Sequence, residues 1–241
     1  MLAPLQALID LVLPPRCPAC RRIVDGDDRF CGDCWQQLVF ITAPQCARCG
    51  DPFDHDLGAG ALCGACLAAL PRYDSARAAL VYGGPARDVI LGLKHGDRQH
   101  LARLMARAMA RAAGPMLEAA AAPLLVPVPL HWTRLVRRGA NQAALIAAAL
   151  RRQTGAELAL FALIRARATP ASRGLGRAAR ARNVRGVFRV ADKARVTGRR
   201  VILVDDVLTT GATAEACARV LRRAGAAEVH VLTFARVVRH P

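Results

Sequence analysis

Long hydrophobic stretches free of charge are missing from this chain of 241 residues. Its apolar start, Met1–Leu13, is interrupted by Asp10 and has no charged n-region. It is too short to span a bilayer and carries no convincing cleavage site. The reading is therefore a soluble, cytoplasmic protein without membrane insertion. Lysine is scarce: only Lys94 and Lys193 stand among 35 basic residues, so its cationic chemistry belongs to arginine. Aromatic residues make up 4% of the chain, which argues against base stacking as the main mode of any nucleic-acid contact.

Positive charge is abundant and unevenly placed. Residues 1–75 hold six Arg against nine Asp, a net of −3, so a chain of net +17 carries +20 on residues 76–241. An imbalance of that size attracts polyanions: phosphate esters, single-stranded nucleic acid or a membrane surface. Residues 165–200 alone contain twelve basic side chains and one acid, Asp192.

Cysteine is the other abundance. Eight of nine fall in Cys-x-x-Cys pairs, at Cys17 and Cys20, Cys31 and Cys34, Cys46 and Cys49, Cys63 and Cys66. Such a pair suits thiolate metal ligation better than a disulfide, and two pairs complete a tetrahedral zinc site. Consecutive pairing gives two zinc ribbons, and interleaved pairing gives a cross-brace. Four thiolates leave no open position, so the zinc is expected to be structural. Cys217 lies on the apolar stripe of a helix and reads as core, and His55 as surface.

Composition changes between residues 68 and 76. A zinc-ribbon module over 1–70 and a larger domain over 71–241 are expected. In the larger domain strands alternate with helices, which predicts an α/β fold with a mostly parallel sheet flanked by helices. Strands are expected at 78–82, 122–129, 158–164, 201–204 and 228–235. Helices are expected at 86–93, 100–113, 141–153 (capped by Asn141) and 213–223. Residues 165–185 read as an Arg-rich mobile loop. His131 and Trp132 read as packing residues.

The chemistry concentrates in Val204-Asp205-Asp206-Val207-Leu208-Thr209-Thr210-Gly211-Ala212-Thr213. A buried strand delivers two acids at its carboxyl end, and a Thr- and Gly-containing turn opens a helix. Ligands of open α/β sheets bind at that junction. Free N–H groups at the helix start suit phosphate. The Thr hydroxyls add donors, Gly211 permits close backbone approach, and the carboxylates can accept from a sugar diol and help hold Mg²⁺. The loop has no Gly-Lys-Ser/Thr and no Gly-x-Gly-x-x-Gly, so it is neither a P-loop nor a dinucleotide fingerprint.

This segment resembles the phosphoribosyl-pyrophosphate (PRPP) motif of type I phosphoribosyltransferases. The chain as a whole resembles the ComF family, associated with bacterial competence and DNA uptake. The resemblance also rests on Leu93-Lys94-His95-Gly96-Asp97-Arg98, Val126–Leu130, Arg138–Ala143 and Arg182–Phe188, in that order. It implies that Asp205 and Asp206 meet the ribose hydroxyls of PRPP and that Thr209, Thr210, Gly211, Ala212 and Thr213 cradle its 5-phosphate, with Mg²⁺. It implies phosphate or pyrophosphate contacts from Lys94, Arg137 and Arg138. The loop after Pro129 would hold pyrophosphate, and residues 165–185 would close as a hood. Ser172 stands where Gln is common in the family. Two functional classes follow from it. One is transfer of phosphoribosyl to an acceptor. The other is a non-catalytic competence factor that binds single-stranded DNA and partners such as an uptake helicase.

Overall fold

The computed structural model describes residues 13–94, 98–117, 122–169 and 176–238. Expectations for Met1–Val12, for His95, Gly96 and Asp97, and for Ser172 lie outside the described residues.

Five strands form one parallel sheet in the order β1-β7-β6-β2-β3: β1 (Ser75–Val81), β2 (Leu124–Pro127), β3 (Glu157–Leu158), β6 (Arg200–Leu208) and β7 (Glu228–Arg236). A sheet covered on both faces needs apolar residues at successive positions rather than alternate ones. Val201-Ile202-Leu203-Val204 has that character, and all four are fully buried. Ile202 and Val204 pack with α3 (Gly84–Lys94), α4 (Leu101–Ala113) and α6 (Gln142–Thr154). Val201 and Leu203 pack on the other face with α9 (Ala212–Arg223). The result is three layers with β6 central, as the alternation of elements predicts.

Several boundaries differ from expectation. The expected strand over 158–164 is two short pieces. β3 joins the main sheet, and β4 (Leu163–Arg165) pairs antiparallel with β5 (Phe188–Val190). The Arg-rich segment contains a helix, α7 (Arg177–Asn183), where a loop was expected. Ala and Arg both favour helix, and that propensity outweighs the loop-like Gly and Pro on its flank. A single turn, α8 (Lys193–Val196), capped by the Asp192 carboxylate, leads on to β6. The stretch after Pro129 likewise forms a short helix, α5 (Trp132–Arg138). His131 is its N-cap, with Nδ1 accepting from the Thr133 amide, while Trp132 is 67% exposed and so does not pack the turn. Asn141 caps α6 as expected, its Oδ1 accepting from Ala143 N.

The N-terminal region holds α1 (Gly32–Gln36) and α2 (Gly64–Ala68). It joins the sheet through the edge strand β1: Ile41 N donates to Ala79 O, Val81 N to Val39 O, and Ala76 N to Arg48 O. Residues 39–41 thereby cover an edge that would otherwise expose unpaired amides. Among the described residues, no helix is long and apolar enough to cross a membrane.

Candidate phosphate site and metal centres

The eight paired cysteines gather into two clusters, Cys17 with Cys20, Cys31 and Cys34, and Cys46 with Cys49, Cys63 and Cys66. Within each cluster the four sulfurs lie within 4.8 Å of one another, so consecutive pairs combine and the interleaved arrangement is ruled out. Cys20 and Cys31 sulfurs are 3.5 Å apart, and those of Cys49 and Cys63 are 3.6 Å apart. Four thiolates about 2.3 Å from zinc stand at roughly such separations. Burial opposes ionisation at Cys17 and Cys46, but surrounding backbone N–H groups outweigh it. They bring these thiols down from 9.0 to about 6 and about 7 respectively. Cys46 Sγ accepts from the amides of Cys49 and Cys63 at 3.5 and 3.3 Å. Without a metal, burial and the neighbouring sulfurs push the thiols of Cys34, Cys49 and Cys66 up instead, so it is the four converging sulfurs, with no other donor type, that fit a structural zinc ion in each cluster. Cys217 is fully buried in the core and His55 is exposed, as expected.

The acid pair lies within β6, not after it, because the strand continues to Leu208. Alternation therefore sends the two carboxylates to opposite faces of the sheet. Asp206 faces the α3 layer, where Lys94 Nζ stands 2.6 Å from its Oδ2. Lys94 is thus engaged with an acid of the site, so a phosphate contact would be shared with that pair. Asp205 faces the α9 layer, and its Oδ1 accepts from the Asp206 amide at 2.9 Å. Burial, then the neighbouring Asp206 charge, pushes the Asp205 carboxyl well above its ordinary 3.8.

Beyond Leu208 the chain turns through Thr209 and Thr210 to Gly211, which has φ +79° and precedes the first turn of α9. A side chain at that φ would be strained, so glycine is required on backbone grounds. A cavity of about 30 Å³ lies beneath this turn, with Asp205, Thr209, Thr213 and Thr233 among its lining. Thr233 pairs in register with Asp205, and its buried hydroxyl has no hydrogen-bond partner. Arg180 of α7 donates to Thr209 Oγ1 at 3.0 Å, so α7 reaches the turn. Arg137 and Arg138 end α5, and Arg138 donates to Gln142 Oε1 at 3.2 Å.

The structure therefore brings Asp205, Asp206, Lys94 and the Thr209–Thr213 turn to one end of β6. Arg137 and Arg138 lie on the segment following the neighbouring β2. Thr233 and Arg180 were missed by sequence reasoning. A threonine inside the apolar strand 228–236 was a readable signal for the first. Nothing in the Arg-rich run distinguished the second from its neighbours.

Comparison with known proteins gives two family matches: the double zinc ribbon domain over residues 8–72 and the phosphoribosyl transferase domain over residues 109–239. The DNA utilization protein YhgH of Escherichia coli (strain K12) is 31% identical over 236 residues, covering 95% of this chain and 100% of that protein. Competence protein F of Haemophilus influenzae (strain ATCC 51907 / DSM 11121 / KW20 / Rd) is 30% identical over 226 residues, covering 92% and 96%. Among solved structures, the allosteric regulatory enzyme of purine biosynthesis aligns at 27% identity with a TM-score of 0.34, over 58% of this chain and 25% of that longer one.

Proposed function

The chain belongs to the ComF family of competence and DNA utilization proteins, and from that premise we propose that its phosphoribosyl transferase domain binds PRPP together with Mg²⁺. One observation carries the reading. The central strand carries two carboxylates near its end and runs into a threonine-lined turn whose glycine opens a helix. In this reading Asp205, on the face of the Thr209–Thr213 turn, accepts from one ribose hydroxyl, and Asp206 must leave Lys94 and swing past the strand end to accept from the other. The 5-phosphate receives N–H groups of the α9 start and the hydroxyls of Thr209, Thr210 and Thr213. Mg²⁺ would arrive with the ligand, neutralising its charge, and the acid pair would help hold it through the ribose diol. Lys94 neutralises Asp206 in the free protein, and Arg137 and Arg138 are proposed phosphate contacts. The same reading divides the chain into a zinc-ribbon module over 1–70 and the phosphoribosyl domain over 71–241.

If the site turns over, an acceptor nucleophile bonds to the anomeric carbon as the bond to pyrophosphate breaks and pyrophosphate carries away the electron pair. Positioning and charge stabilisation would supply the rate. The second reading is a binding factor for single-stranded DNA and a helicase-type partner. It is favoured by the +20 charge on residues 76–241 and by the DNA-utilization names of the relatives.

Calorimetric titration with PRPP and Mg²⁺ is expected to give saturable heat in the unaltered chain. Asp205→Asn with Asp206→Asn should remove it, and equal binding by the double variant would refute the site. Pyrophosphate release in the presence of candidate acceptors separates transfer from binding alone.

A further inference from the structure

The few aromatic residues of this chain are not scattered. Trp35 and Phe40 of the first ribbon stand with ring centroids 5.4 Å apart, at 54° to each other. They are 54% and 45% exposed, although large aromatics usually bury. They line a cleft of about 450 Å³ between the ribbon and α4, into which Arg107 and Arg111 also face. These two arginines belong to a stripe with Arg103 on the exposed side of α4, four residues apart. That spacing advances about 6 Å along the helix axis from one arginine to the next, close to the step between phosphates of an extended strand. Arg103 lines an adjoining cleft of about 420 Å³ together with Arg16 and Arg21. Asp28 borders both clefts and lies 3.8 Å from Arg107, so the two clefts adjoin; the floor of the larger one is apolar, with Leu38, Leu80, Leu104 and Phe234, and its rim is charged, mostly by arginine. None of these residues belongs to the Asp205–Thr213 site.

We propose that the trough made by these adjoining clefts is the single-stranded DNA site of the protein. Bases stack on Trp35 and Phe40, and successive phosphates lie on Arg103, Arg107 and Arg111. A small ligand would need neither two joined clefts nor a ladder of cations. An apolar protein segment would match the floor of the larger cleft but leave Arg103 and Arg111 on the rim without anions. A single strand supplies both flat apolar bases and regularly spaced anions. This inference rests on the DNA-handling reading, and it locates the site away from the Arg-rich residues 165–200.

The test uses the full zinc-loaded chain and an oligothymidylate. With Trp132→Phe removing the other tryptophan, oligothymidylate is expected to quench Trp35 fluorescence, and inorganic polyphosphate, which has no bases, is expected not to. Trp35→Ala should weaken binding about tenfold, the scale of one stacked base. Arg107→Ala with Arg111→Ala should lower the slope of log affinity against log salt by about 0.7 per arginine. Zinc content and PRPP binding should be retained in every variant. Binding that survives these changes but is lost in Arg180→Ala with Arg182→Ala and Arg185→Ala would overturn the trough alone. Failure of the unaltered chain to bind the oligonucleotide would overturn the trough and the DNA-handling reading together, leaving the PRPP site to its own titration.

Discussion

Two adjacent aspartates on one strand have unlike surroundings, and that difference predicts unlike behaviour. Asp206 has Lys94 at 2.6 Å. Asp205 is pressed towards its neutral form by burial and by the charge of Asp206. A carboxyl whose folded pKa is raised binds more protons folded than unfolded. Its effect on stability is therefore unfavourable once pH exceeds the unfolded value near 3.8, and the loss grows until pH passes the raised folded value. Asp205→Asn should accordingly raise the melting temperature of the ligand-free chain at pH 8 by a few degrees, with little change at pH 4. The same substitution should weaken PRPP binding. Thermal scans at the two pH values check the first part. A variant less stable than the parent at pH 8 would mean that Asp205 is a structural acid.

At the scale of elements, the contact that matters most is between β7 and the second zinc ribbon. Arg236, the last residue of β7, is 2% exposed, and its guanidinium lies 2.7 Å from the carboxylate of Asp51, itself 3% exposed. It also donates to the carbonyl of Cys49, a residue of the second cluster. Asp74, just before β1, adds a second tie by accepting from the Val229 amide and pairing with Arg222. A buried pair is costly to halve, because the remaining charge has lost its water. Arg236→Met should therefore destabilise the protein by about 3–5 kcal/mol. Adding Asp51→Leu should restore most of the loss. Denaturant titration of the single and double variants measures this. The elements that sequence patterning misplaced, α5, α7 and the divided β3 and β4, are short. In them local propensity and tertiary contacts such as Arg180 with Thr209 outweigh a weak hydrophobic period.

For the molecule as a whole, the zinc clusters hold a segment that also closes the sheet. Residues 39–41 sit between the two clusters and bond to the edge of β1. Metal analysis should find two zinc ions per chain. Their removal by a strong chelator should free β1's edge and cause concentration-dependent light scattering, whereas a chelated chain that stays monodisperse would show that the ribbon folds without metal. Cys46→Ser should cost more stability than Cys20→Ser, since Cys46 is fully buried and accepts two amides while Cys20 is exposed. Local sequence was enough to determine the metal ligands, the parallel α/β core and the acid–threonine loop, because each is written in residues close together in the chain or repeating at a fixed period. Tertiary structure alone decided that consecutive cysteine pairs share a site, that Lys94 faces Asp206 across more than a hundred residues, and that Trp35 and Phe40 line one cleft with Arg107 and Arg111 of α4. Those pairings depend on how layers stack and which sheet edge the ribbon caps, and no local pattern encodes a distance between segments that are joined only by folding.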